Sequence, residues 1–123
     1  MNLRERAIRA AEEERKQWKE AASNFAIEVK EEFQKRFGEV SDLDVKPITK
    51  NEAKITADGL TFVAEKEDSE YDEHIKFYIE VKCNECGKMF THPNPCETLA
   101  DIGYRLESSN ICKACSMKRL GTL

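Results

Sequence analysis

Two short cysteine pairs constrain this chain more than any other feature. Cys83-x-x-Cys86 is followed, after 25 intervening residues, by Cys112-x-x-Cys115. Each pair is short enough for both sulfurs to reach one ion. Two such pairs complete a tetrahedral four-sulfur shell, the geometry that structural Zn²⁺ takes. Gly87 directly follows the first pair. In a tight knuckle the backbone turns back so that its N–H groups face the thiolates, and the next residue then needs positive φ. The second pair, CKACSMKRL, has Ser116 at that place, so its knuckle is expected to be less regular. Three rivals to zinc stay open. Iron takes the same four sulfurs, and spacing does not separate the two metals. A redox pair after a strand suits Cys83-x-x-Cys86, although a second pair and a knuckle glycine fit it poorly. Unbound thiols are the third.

The compartment bears on this choice. No run of 18 apolar residues exists to span a membrane, and MNLRERAIRAAEEERKQW has no apolar signal core. A cytoplasmic protein is expected, where stable disulfides are rare. Five cysteines are also an odd number for a disulfide framework. At 123 residues the chain makes about one domain, small enough to benefit from a staple.

Charge divides the sequence into three. Residues 1–37 carry +1, residues 38–82 carry −6 and residues 83–123 carry +1. The first segment reads as one long amphipathic helix over 3–37, capped by Asn2 with Glu5 three residues on, and ended by Gly38. Ala11, Trp18, Ala22, Phe25, Val29, Phe33 and Phe37 form its apolar stripe. Such a helix is about 50 Å long, more than a small domain can cover. Either it breaks near Ser23-Asn24, or its N-terminal half projects towards a partner.

The second segment reads as antiparallel strands. In ITADGLTFVAE, Asp58-Gly59 suits a two-residue turn, which pairs Ala57 with Leu60, Ile55 with Phe62 and Ala53 with Ala64 on one face. Leu43, Val45 and Ile48 suggest an earlier strand, which Pro47 restricts to an edge. Ile75, Phe77, Ile79 and Val81 alternate into a strand that runs straight to Cys83. Between them, EKEDSEYDE holds six carboxylates and reads as a solvated loop or, more sharply, as an acidic docking patch. In the third segment Asn94-Pro95-Cys96-Glu97 predicts a short helix capped at Asn94, with Leu99, Ile102 and Leu106 on its apolar face and Ser108-Ser109-Asn110 ending it. The expected fold is α+β: a long helix (1–37), a small sheet with a DG hairpin (38–82), and a four-cysteine unit with a short helix between its pairs (83–123). Residues 38–123 are expected to form one compact domain.

CNECGKMF resembles a rubredoxin-type zinc knuckle, and with ICKAC it resembles the zinc ribbon and treble-clef class of small zinc folds. The matching positions are Cys83, Cys86, Gly87, Cys112 and Cys115. The helix between the pairs departs from a plain ribbon, which has a β-hairpin there. More loosely, the order of DG hairpin, strand and CxxCG resembles small uncharacterised bacteriophage proteins. A closed four-thiolate shell leaves no place for a reactive water, so the centre points away from catalysis. It would carry −2 locally, and Lys82, Lys88, Lys113 and Lys118 are near enough in sequence to offset part of that. Cys96 and His92 remain outside the set. A helix-start Cys96 would have a lowered pKa, and with His92 it makes a weak nucleophile–base pair. A small buried thiol is the plainer reading, and either residue also qualifies as a substitute ligand. His74 reads as a sheet-surface residue.

No phosphate loop, supported carboxylate dyad or triad stands out, so an enzyme is not expected. The expected function is a zinc-stabilised adaptor or modulator that binds another protein, such as a phage product acting on a host factor. Trp18 and Phe25 on the long helix would receive the partner, or would join two copies as a homodimer. The alternative is a nucleic-acid-binding or transcription-regulatory zinc ribbon, with Arg105, Lys113, Lys118 and Arg119 as a basic edge near Phe90 and Tyr104. The net charge of −4 weighs against it.

Overall fold

In the computed structural model, residues 2–67 and 74–121 are described. Most of the acidic run, residues 68–73, lies outside them, and with it the docking-patch reading. Helix α1 covers Leu3–Phe37 without a break at Ser23-Asn24. The side chain of Asn2 accepts from the Glu5 N–H at 2.9 Å. Gly38 ends the helix at φ 93°, a conformation that only glycine adopts without strain.

Among the described residues five strands follow: β1 (Leu43–Thr49), β2 (Glu52–Ala57), β3 (Leu60–Lys66), β4 (Ile75–Lys82) and β5 (Met89–Thr91). They pair in chain order as an antiparallel meander. Ala57 pairs with Leu60, Ile55 with Phe62 and Ala53 with Ala64, as the hairpin register requires. Asp58 at φ 47° and Gly59 at φ 80° make the turn. Pro47 lies on edge strand β1, where its missing N–H leaves no ladder bond unmade, and the register shifts between Pro47 and Thr49.

The C-terminal half of α1 covers one face of this sheet. Phe25, Val29, Phe33 and Phe37 pack on Ala53, Ile55, Phe62, Ala64, Phe77 and Ile79. Phe33 is the hub: its ring meets Phe37 at 4.9 Å, Phe62 at 5.1 Å and Phe77 at 5.5 Å, each edge to face. Arg36 fastens the same helix end to β4. Its guanidinium donates to the Ile75 carbonyl at 2.7 Å and lies 5.1 Å from the Phe77 ring centroid. His74 bridges Arg36, at 3.3 Å, and Glu97, at 3.2 Å, on the surface. Ile102 of helix α2 (Leu99–Glu107) closes the same core, which therefore draws on all three sequence segments. Helix α3 (Lys113–Leu120) follows and contributes no buried residue.

The sheet decides which part of α1 is covered. Residues 2–20 are all exposed, a projection of roughly 27 Å of helix. Trp18 is 49% exposed on it, whereas Phe25 is 4% exposed in the core. Phe25 is therefore not a partner-facing residue. The expected stripe is continuous, but its partner changes from sheet to solvent at Ala22.

Helix α2 also corrects an expectation. It starts at Leu99 under a Thr98 cap, not at Asn94-Pro95. Cys96 forms an isolated antiparallel bridge with Phe77, and its N–H donates to the Phe77 carbonyl at 2.7 Å, so the chain there is held against β4 and not in a helix. The cap proper is a Thr98–Asp101 capping box, in which the Asp101 carboxylate also accepts from the Glu97 and Thr98 N–H groups. These backbone donors hold the Asp101 carboxyl below its usual pKa. Ser108 ends the helix, as expected.

Candidate metal centre

Strand β4 delivers Cys83 to the sheet's end, where the chain reverses into β5. The knuckle closes by the Cys83 N–H donating to the Lys88 carbonyl at 2.8 Å and the Gly87 N–H to the Cys83 carbonyl at 3.0 Å. Gly87 has φ 76°, the left-handed conformation expected for it. The space beside it is open enough for a methyl group, since a Cβ would lie 3.7 Å from the Lys82 Cε. The backbone angle, not crowding, calls for glycine here.

The second pair is built differently. Cys112 occupies the N-cap position of α3 and Cys115 lies in its first turn. A helix N-terminus offers free N–H groups and a positive dipole end, both favourable to thiolates. Neither α3 nor the three-residue β5 is foreshadowed by a pattern in the sequence. KACSMKRL is short and has little apolar periodicity, so no local pattern announces it.

The two pairs meet through the loop after α2. The Asn84 N–H donates to the Asn110 carbonyl at 2.8 Å, and the Asn84 side chain donates to Ser109 at 2.7 Å. Asn110 is itself anchored on α2, donating to the Arg105 carbonyl at 2.8 Å. As a result the Sγ atoms of Cys83, Cys86, Cys112 and Cys115 all lie within 4.8 Å of one another. A tetrahedron with metal–sulfur bonds of about 2.3 Å has edges of about 3.8 Å. The Cys86 and Cys112 sulfurs are 3.7 Å apart. The donor set therefore fits one tetrahedral ion, with the longer edges contracting by up to about 1 Å.

The electrostatics agree. The Cys112 N–H donates to the Cys83 sulfur at 3.3 Å. That bond, with further N–H groups of the knuckle, lowers the Cys83 thiol to about 6. Cys115 moves the other way, to about 12, because hydrogen bonding to Cys112, desolvation and hydrogen bonding to the other sulfurs favour its protonated form. Cys83 is ready to ionise while Cys115 keeps its proton, and a cation at the centre would favour the loss of that proton too. The cluster is graded in exposure: Cys83 is buried, Cys112 and Cys115 are half-buried and Cys86 is exposed. Lys82, Lys88, Lys113 and Lys118 are exposed.

Cys96 and His92 do not join this cluster. Cys96 is fully buried, and desolvation raises its pKa, opposite to the helix-start expectation. His92 accepts from the Asn94 N–H at 3.1 Å, and its pKa is lowered by burial and by the Arg105 charge. Of the four basic residues expected at an edge, Arg105 is half-buried and donates to the Pro95 carbonyl at 3.4 Å. Lys113 and Lys118 are exposed on α3, and Arg119 pairs with Glu85 of the knuckle. Arg105 thus belongs to the internal packing of α2 and not to that edge. No helix is long and apolar enough to cross a membrane, among the described residues. No family model, curated protein or solved structure matches the chain.

Proposed function

We propose that this protein is a zinc-stabilised interaction module that binds another protein through the projecting half of α1. The observation that carries this reading is the unbroken run of exposed residues 2–20 with Trp18 on the face that continues the core stripe. A helix segment that covers nothing of its own fold gains little from tertiary packing, the usual source of helix stability. Trp18 with Arg15 three residues before it offers the two side-chain types most often found as interface anchors. The four-cysteine cluster supports a structural role for the metal, because four sulfurs close the shell. A knuckle in a hairpin with the second pair at a helix start favours the treble-clef arrangement over a ribbon. Zinc is the proposed ion and the cytoplasm the proposed compartment.

The test is capture of a partner by the metal-loaded protein beside a Trp18→Ala variant. Wild type should retain a protein that the variant loses. Equal retention by both, or salt-sensitive nucleic-acid binding with no protein retained, would overturn the reading.

A further inference from the structure

Helix α3 is attached to the rest of the fold in an unusual way. None of its residues is fully buried, and Met117 and Leu120 on its outer side are 61% and 68% exposed. The core cluster that joins α1, the sheet and α2 includes neither Cys83 nor any residue of α3. Among the described residues, the body reaches α3 through the Cys112 N–H on the Cys83 sulfur, the sulfur contacts of Cys112 and Cys115, and Arg119, which pairs with Glu85 and makes a further interaction besides. Upstream, Asn110 stays tied to α2 by its own hydrogen bonds to Arg105 and Ser108. The divide therefore falls between Asn110 and Cys112.

At eight residues α3 is shorter than the roughly 12–15 that make even a good helix former marginal alone. It has no side-chain cap at Cys112. Its outer face, with Lys113, Met117 and Leu120 close together by helical spacing, exists as a surface only while the helix is held. Cys86 is exposed and Cys112 and Cys115 are half-buried, so the centre lies near the surface, within reach of a competing chelator.

We propose that the metal is a latch on α3 and not a staple for the whole fold. With metal bound, residues 112–121 are held as a helix and display that outer face. Without it, they and the knuckle at 83–88 are released, while α1, β1–β4 and α2 stay folded. Metal availability then controls one surface of the molecule and leaves the Trp18 arm unchanged. The latch rests on the reading of the four cysteines as a metal site.

Hydrogen–deuterium exchange on the zinc-loaded protein, with and without a strong chelator, tests it, with metal content measured on the same samples. Chelation should speed exchange in 83–88 and 112–121 by at least about tenfold and leave 22–37, 52–66 and 75–82 within about twofold. A Cys112→Ser, Cys115→Ser double variant should show the same released C-terminus with zinc present and the same protected body. Arg119→Ala should keep α3 protected when zinc is bound. Loss of protection throughout the sheet on chelation, or a double variant that does not fold, would make the metal a global staple and overturn the latch. An α3 that stays protected after the metal has gone would overturn it as well. A chain that neither carries metal nor takes up zinc removes the metal reading itself, an outcome separate from a metal-bound chain that fails the exchange test.

Discussion

Replacing Phe33 by alanine removes the residue on which helix and sheet converge. Its ring is 2% exposed and meets three other aromatic rings. A buried Phe→Ala change costs about 3–5 kcal/mol, from lost transfer energy plus the cavity left behind. Here the vacated space adjoins an apolar crevice of about 140 Å³ lined by Phe37, Val40, Leu60, Leu99 and Ile102. Leu99 is 63% exposed and Leu60 and Val40 are half-buried, so these rim side chains can shift inwards and fill part of the hole. That places the expected cost near the lower end, about 3 kcal/mol. Against a total stability of roughly 5–15 kcal/mol this is a large fraction. Urea unfolding followed by far-UV circular dichroism is the suitable assay, because the single tryptophan, Trp18, lies outside the core. The midpoint should fall while the slope stays unchanged. Metal binding should survive under native conditions, since Cys83 lies outside the Phe33 cluster. A loss below about 1 kcal/mol would mean that α1 does not dock on the sheet through Phe33.

Gly87→Ala should weaken zinc binding about tenfold in a competition titration, because forcing a side chain into φ 76° costs about 1–2 kcal/mol although the space beside it is open. Removing residues 2–19 should change unfolding stability by less than about 0.5 kcal/mol, since none of them is buried; a larger loss would show that the arm packs on the body. Zinc affinity should rise with pH. Cys83 is already ionised above about 6, whereas Cys115, pushed up to about 12, must lose a proton on binding at any pH in the working range. Each pH unit should therefore strengthen binding at least about tenfold, more steeply below about pH 6 where Cys83 is protonated too. A competition assay across this range would refute the assignment if affinity were flat.

The sequence disclosed most where a local rule had one outcome. Asp58-Gly59 permits one register that places Ala53, Ile55, Ala57, Leu60, Phe62 and Ala64 together, and the structure has it. The four sulfurs were legible because pair spacing reflects the reach of two side chains to one ion. Phe25 and Trp18 show the opposite case. They occupy the same helical stripe, and only the position of the sheet's end, a tertiary fact, makes one core and the other surface. Asn94-Pro95-Cys96-Glu97 has the pattern of a helix start, but the bond from Cys96 to Phe77 draws it along β4 and moves the cap to Thr98. A long-range backbone bond of this kind leaves no periodicity to read. Helix α3 was hidden for a related reason: its start is set by Cys112 and the centre it faces, not by an apolar face of its own.

The metal reading requires that Cys83, Cys86, Cys112 and Cys115 hold one ion. Native mass spectrometry of the purified chain, combined with thiol alkylation, tests it most directly. One divalent ion per chain is expected, with Cys83, Cys86, Cys112 and Cys115 protected until a chelator is added. A chain that carries no metal, and whose exposed Cys86 and half-buried Cys112 and Cys115 alkylate at the same rate with and without zinc, would contradict it.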